Sequence, residues 1–351
     1  MSIKKFFRQE VIDLPAYHLE VHSGAKLNQN ESPWDIPVDI KADIVEQMLK
    51  TPWNRYPLDD VLHLQKKMAK YLGVWPDNIV FANGSNVLIQ ALVFATSISR
   101  EVMVVDPTFS VYEIEAQLFS NKIIRVPLNP DFSIPVDRFI KEMKKQKPGI
   151  IFLANPNSPT ATLFDKEGLR KIIDAAECLV VIDEAYYPFS GVTLMDWVKE
   201  CDNLVILRTF SKAFALGGLR LGWMIAEPEV CRQVQKCLLP FCISRLSSLT
   251  AMGVLENPQY IDLYVKQICA ERDRVYSILF TLSGITVHPT HTNFILFEVE
   301  DSPSIFKQLL IEGVIVRQVN DGRRLKNALR VSIGSPKEND AFLQAIEKVL
   351  S

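Results

Sequence analysis

Nothing in this 351-residue sequence is apolar for long enough to cross a bilayer as a helix, so a membrane-spanning protein is not expected. The amino end, Met1-Ser-Ile-Lys-Lys-Phe-Phe-Arg-Gln-Glu10, carries positive charge without the apolar stretch that a secretory signal needs. Cysteine is sparse. The six residues, at 178, 201, 231, 237, 242 and 269, make no Cys-x-x-Cys pair, and none lies with histidines at zinc-ligand spacing. The five histidines are scattered. Neither a zinc centre nor a dithiol redox centre is therefore expected, and a reducing cytoplasm is the expected setting. An excess of one charge is missing too. Lys and Arg number 39 against 41 Asp and Glu, a net charge of −2, which removes the electrostatic case for binding nucleic acid or an acidic membrane surface. Internal repeats and low-complexity linkers are also absent.

What remains is the composition of a soluble globular protein, 48% hydrophobic and 23% charged, in a chain long enough for a large domain and a smaller one. Short β-branched apolar runs recur at 79–82, 102–105, 150–154, 179–182, 204–207 and 222–226. Their length and continuity predict strands covered on both faces. Helix-period segments lie between them. Val61, Leu64, Met68 and Tyr71 share one face, and Gly73 follows as a stop signal. Segments 87–95 and 169–176 have the same character. This alternation predicts an α/β fold whose large domain has a mostly parallel sheet flanked by helices. From about residue 229 the pattern changes to two long helices, 229–239 and 261–282, with a break at Pro240. Strands at 292–297, 314–316 and 328–333 and a last helix at 337–350 follow, which predicts a smaller α+β unit. The expected division is a large domain over 40–235 and a small domain made of 1–39 and 236–351.

Polar groups capable of chemistry sit just past the strands, where open α/β sheets bind ligands. The densest set is Ser211-Lys-Ala-Phe-Ala-Leu-Gly-Gly-Leu-Arg-Leu-Gly222. A lysine shielded from water loses basicity, and its free amine can form a Schiff base with an aldehyde. Ser211 and Arg220 can hold a phosphate. Read alone, the segment is also a surface Lys and Arg flanking a turn. Asn83-Gly-Ser-Asn86 opens a helix whose first amides can face an anion, or it is an ordinary N-cap. Phe109, in Pro107-Thr-Phe109, can stack on a flat ring or fill the core. Asn155-Pro-Asn-Ser-Pro-Thr160 is a turn stiffened by two prolines that can aim an amide side chain. In Asp183-Glu-Ala-Tyr186, the acid can cap the next element or meet a protonated ring nitrogen, and the tyrosine can reach a ring hydroxyl. Together and in this order they converge on one cofactor, pyridoxal 5′-phosphate (PLP).

These segments, with Leu27-Asn-Gln-Asn-Glu-Ser-Pro33, Asn54-Arg-Tyr-Pro57 and Leu329-Arg-Val-Ser-Ile-Gly334, resemble the fold-type I PLP-dependent transferases of the class I/II aminotransferase superfamily over nearly the whole chain. Within it the chain is most similar to the histidinol-phosphate aminotransferase subgroup. The resemblance implies that Lys212 forms the Schiff base and acts as general base, and that Asp183 pairs with the pyridine nitrogen. Tyr186 and Asn157 would bond the ring oxygen, and Phe109 would stack on the ring. Ser85, Asn86, Ser211 and Arg220 would hold the phosphate. A homodimer is implied, with Tyr56 reaching the phosphate in the neighbouring subunit's site. Arg330 and Arg317 would receive the substrate's anionic group, with Tyr17 and Asn28 closing over it.

The implied reaction converts L-histidinol phosphate and 2-oxoglutarate to imidazole-acetol phosphate and L-glutamate, a step of histidine biosynthesis. Aromatic or other amino-acid aminotransferases and threonine-phosphate-type decarboxylases on the same fold would share the cofactor residues. A binding or regulatory module of this fold commonly carries an appended DNA-binding domain or lacks the lysine. Here Lys212 is present, and no helix-turn-helix segment is expected before residue 30. The chain departs from the family pattern at three places. Ala161 stands where the turn usually ends in Gly, Ser158 where many members have Asn, and Asn86-Val87 where the phosphate loop usually continues Asp-Glu.

Overall fold

The computed structural model describes residues 3–16, 23–97, 100–320 and 322–350. Among them the strands, in chain order, are β1 (Ala25–Lys26), β2 (Ile79–Ala82), β3 (Val102–Asp106), β4 (Ile123–Pro127), β5 (Ile150–Ala154), β6 (Leu179–Asp183), β7 (Leu204–Thr209), β8 (Gly222–Ile225), β9 (Ile285–Val287), β10 (Phe294–Val299), β11 (Val314–Ile315), β12 (Arg317–Val319) and β13 (Ala328–Ser332). Seven form one sheet in the order β2-β8-β7-β6-β5-β3-β4. β3 pairs in parallel with β4 and β5, β5 with β6, and β6 with β7, while β8 runs antiparallel between β7 and β2. The mostly parallel sheet expected from the apolar runs is therefore present.

Alternate residues of these strands feed two separate cores, one on each face. Ile151, Leu153, Val180, Ile182 and Ile206 face one, and Ile150, Phe152, Val181, Val205 and Leu207 face the other. A strand residue has no exposed side to make polar, which is why the runs read as continuous rather than alternating. Each fully buried Val or Ile contributes about 1.5–3 kcal/mol of hydrophobic stabilisation. β4 adds to the predicted strands. It lies at the sheet edge with mostly half-buried or exposed positions, so no continuous apolar run announces it.

Helix termination follows local chemistry. The helix Asp60–Leu72 ends at Gly73, whose φ of 69° suits glycine. The helix Lys166–Ala175 starts at Asp165, whose carboxylate accepts from the Gly168 N–H. The helix Arg245–Glu256 was not expected. Its buried side includes Ser247, Ser248 and Thr250, which dilute the apolar period. It packs on the helices Val38–Lys50 and Asp60–Leu72.

The later strands form an antiparallel sheet in the order β12-β13-β10-β9, and β1 pairs in parallel with β11. Two backbone bonds extend that join. Leu27 N donates to Ile315 O at 2.8 Å, and Ser332 N donates to Leu27 O at 2.8 Å. They fix the segment 28–30 relative to β13 and so position the substrate side of the site.

Candidate active site

The parallel strands end side by side, and the polar residues predicted from sequence follow those ends. At the end of β6, Asp183 is buried in an apolar wall. Its Oδ2 accepts from the Tyr112 hydroxyl at 2.7 Å and its Oδ1 from the Ala185 N–H at 3.0 Å. Burial pushes its carboxyl up to about 6, against the pull of those two donors. The next residue, Glu184, forms a buried ion pair with Arg208 on β7 at 2.8 Å. Glu184 also accepts from Thr193 Oγ1 and the Leu194 N–H. The Arg208 guanidinium lies 3.8 Å over the Tyr187 ring. The carboxylate thus has several donors to offset the loss of water around the buried pair.

Lys212 follows β7. It is partly buried, and its Nζ donates to the Gln29 carbonyl at 2.8 Å. Loss of water, then the nearby Arg330 charge, bring its ammonium down to about 7. A large fraction is thus a neutral amine near neutral pH.

Ser211, Arg220 and Gly84 meet beside it. Arg220 Nη1 donates to Ser211 Oγ at 3.3 Å and to Gly217 O at 3.0 Å. Thr209 Oγ1 donates to Ser211 Oγ at 3.0 Å. Gly84, at φ 89°, precedes the helix Ser85–Thr96, whose first amides have no intrahelical acceptor. A methyl group on Gly84 would fall 2.6 Å from Arg220 Nη2, and one on Gly222 would fall 2.3 Å from the Ser85 amide nitrogen. Only glycine at both places lets the helix start, the arginine and the serine close into one anion cradle. Asn86 is exposed at the same helix start.

Tyr186 is buried, edge-on to Phe294, and its hydroxyl accepts from Asn30 Nδ2 at 2.9 Å. Burial raises its phenol above the ordinary value, offset by Arg330 and by hydrogen bonds from Asn30 and Ser158. Asn157 requires a correction. Its Oδ1 accepts from Thr108, and its Nδ2 donates to Pro107 O and Thr160 Oγ1. Both ends of that amide are used, by the loop after β3 and by Thr160, while Ser158 bears on Tyr186 and accepts from Arg330 Nη1 at 3.5 Å. The turn therefore presents its hydroxyl, not its amide, to the site. Phe109 is half-buried and meets the Tyr112 ring edge-on.

Arg330, on β13, also donates to the Asn28 carbonyl at 3.1 Å and lies 5.1 Å from the Phe294 ring centre. Arg317, on β12, is its direct cross-strand partner. Opposed residues of an antiparallel pair share a sheet face, and like charges there repel unless an anion joins them. Asn28 Oδ1 is buried without a hydrogen-bond partner. Tyr56 is 72% exposed and stacks on Phe241 at 4.7 Å, apart from this set. Tyr17 lies outside the described residues.

Sequence reasoning missed Tyr112, Asn30, Thr209 and the Glu184–Arg208 pair. Tyr112 sits at a helical core spacing, and Asn30, within the segment 27–33, acts on a residue 156 positions away, so neither role can be read locally. Chemically, the assembled site offers an anion cradle, an acid in an apolar wall, a phenol, an aromatic face and an amine poised near neutrality.

Residues 23–346 match the family described as aminotransferase class I and II. The chain is 36% identical over 343 residues to a histidinol-phosphate aminotransferase of Deinococcus radiodurans, covering 97% of this chain and 95% of that protein. Its fold superposes with a TM-score of 0.89 on the histidinol-phosphate aminotransferase of Sinorhizobium meliloti, solved with pyridoxal-5′-phosphate, at 22% identity and 98% and 97% coverage. It also superposes, with a TM-score of 0.81, on an L-threonine-O-3-phosphate decarboxylase of Porphyromonas gingivalis, at 22% identity and 93% and 99% coverage, so the fold alone does not choose a reaction. The family match over most of the chain and the identity to a full-length relative do choose one group: this chain belongs to the class I and II aminotransferases.

Proposed function

We propose that this protein is a PLP-dependent aminotransferase that takes the amino group of L-histidinol phosphate and delivers it to 2-oxoglutarate. The observation that carries the reading is Lys212, an amine brought down to about 7 beside an anion cradle and a buried acid. The donor set suits PLP, because each polar group of that molecule has a chemically matched partner here. When bound, PLP supplies an aldehyde for the lysine amine and a ring that draws electrons from the substrate's α-carbon.

The residues then divide the work. Ser85, Asn86, Ser211 and Arg220 hold the phosphate, and Phe109 covers a ring face. Asp183, as carboxylate, holds the proton of the ring nitrogen. Tyr186, with Ser158 in the place expected of Asn157, bonds the ring oxygen. Lys212 Nζ, once freed, takes the proton from the substrate's α-carbon. Arg330 grips the substrate's anionic end, and Arg317 across the strand pair adds a second charge. The same two arginines can serve the phosphate of the donor and the carboxylate of the acceptor. Asn28, whose carbonyl accepts from Arg330, supplies an unused side-chain acceptor there.

The active unit in this reading is a homodimer in which Tyr56 reaches the neighbouring subunit's phosphate. Its exposure, with Trp53 and Leu58 also on the surface near it, supports that assignment. Residues 40–235 would form the cofactor-holding domain, with 1–39 and 236–351 as the smaller one. A reducing cytoplasm suits the six free cysteines.

The test is an absorbance titration of the PLP-loaded protein with L-histidinol phosphate and no oxo acid. The bound cofactor's visible band should convert to that of the amine form at low substrate. A band that ignores L-histidinol phosphate but responds to another amino acid would replace the substrate. Carbon dioxide release from L-threonine phosphate would replace the reaction.

A further inference from the structure

We infer that Tyr112 is a positioning residue for the cofactor's ring nitrogen, acting through its hydrogen bond to Asp183. The inference rests on the placement of Asp183 proposed above. Tyr112 lies in the helix Val111–Leu118 and has no exposed surface. Its ring stacks on Phe152, with centres 4.9 Å apart and planes 11° apart, and meets Phe109 edge-on at 5.5 Å. The phenol is held between these rings, and its oxygen lies 2.7 Å from Asp183 Oδ2. One side chain therefore touches both the acid assigned to the ring nitrogen and the aromatic assigned to the ring face.

Packing alone would be served by phenylalanine. A hydroxyl buried this deeply is destabilising unless it is bonded, and the bond it makes is to the acid. Asp183 receives two donors, the Tyr112 hydroxyl and the Ala185 N–H. The titratable groups that bear on it are Tyr112 from the neighbouring helix and Glu184 and Tyr186 from its own turn, all of them acids. Its negative charge thus depends on hydrogen-bond donors. The backbone donor is fixed by the fold, which leaves Tyr112 as the adjustable one. Tyr112 itself is held well above an ordinary phenol by burial and by the carboxylate, so it stays a donor throughout the working range. Removing the hydroxyl should let Asp183 take up a proton at higher pH and lose its hold on the ring-nitrogen proton.

The experiment uses PLP-loaded wild type and Tyr112→Phe, dialysed against PLP-free buffer over roughly pH 5 to 9, with retained cofactor measured after denaturation. A parallel series uses the PLP analogue with carbon in place of the ring nitrogen. The acid-side midpoint of PLP retention should move up by about one pH unit in Tyr112→Phe, while retention of the carbon analogue stays as in wild type. Equal weakening of both cofactors at every pH would make Tyr112 a packing residue and overturn the inference, as would an unmoved midpoint. Asp183→Asn in the same assay separates the two levels of the argument. If Asp183→Asn changes retention of PLP and of the carbon analogue equally relative to wild type, the placement of Asp183 is wrong and the inference goes with it. If Asp183→Asn weakens retention of PLP alone and Tyr112→Phe does not, only the Tyr112 inference is lost. Should Tyr112→Phe not fold, 3-fluorotyrosine introduced at position 112 keeps the shape and is a stronger donor. It should move the midpoint down, and no movement would count against the role.

Discussion

The wall around Asp183 and the strap that reaches Lys212 are made of different material. The wall is built from side chains bonded to side chains: Tyr112 to Asp183, Arg208 to Glu184, and Glu184 to Thr193. The strap offers mainly backbone. Asn28 and Gln29 present carbonyls to Arg330 and Lys212, and Asn30 joins Tyr186 through its amide. Asn30 in turn is held by Ser332 and Asn293, from the later antiparallel sheet. A wall of paired side chains fixes electrostatics. A strap of carbonyls fixes position and depends on how the sheet beneath it is held.

Removing the one group that both regions serve should have the largest effect. Lys212→Ala should lower turnover by about 10,000-fold or more, and borohydride treatment should leave no cofactor mass on the protein. Turnover within tenfold of wild type would refute the assignment. Next comes a break in the wall. Arg208→Met strands a buried Glu184 and should lower unfolding free energy by about 3–5 kcal/mol, read from urea midpoints. Adding Glu184→Gln should restore part of the loss, because it removes the unpaired charge. A break on the substrate side should leave stability alone. Arg330→Ala should reduce kcat/KM by about 100- to 1,000-fold in both half-reactions, with the bound-cofactor spectrum intact. Loss in only one half-reaction would show that the two substrates do not share an anion site.

The pH dependence sharpens the contrast further. Lys212 must be neutral to capture an aldehyde, so cofactor capture should rise as pH increases through about 7. Asp183 must be ionised to hold a pyridinium, so retention should fall as pH drops through about 6. Rapid-mixing capture and equilibrium dialysis measure the two separately, and a single shared midpoint would mean that one group controls both. The smallest effect is expected at Arg317, which is exposed. Arg317→Ala should raise KM by up to about fivefold, the worth of a solvated charge, with kcat unchanged.

Most of the large sheet was legible because a strand covered on both faces has only one way to be written. The runs at 150–154 and 204–207 could be placed within two residues of β5 and β7. Lys212, Asp183 and Arg220 were legible for a related reason, since they sit in short segments whose neighbours constrain them. Edge strand β4 and the serine-rich helix Arg245–Glu256 were not, because partial exposure and buried hydroxyls erase the period. Ser158 was passed over in favour of Asn157 because an amide looked like the required chemistry, whereas the fold of the turn decides which residue points inward. Tyr112 gave no sequence signal, and Asn30, though inside the segment 27–33, gave none of its bond to Tyr186. Their partners lie 71 and 156 positions away, and only folding brings them together.

The close approach of backbone to Gly222 has a consequence for how such a chain can change over generations. Position 222 is a buried strand residue, and a strand tolerates alanine. Here one added carbon would press on the Ser85 amide across the sheet. The damage would fall on anion affinity while the pairing of β8 with β2 and β7 survived. A lineage that no longer needed the cofactor could accept that displacement of the Ser85 amide early and keep its architecture. A lineage that still binds it must leave residues 84, 220 and 222 to drift together or not at all.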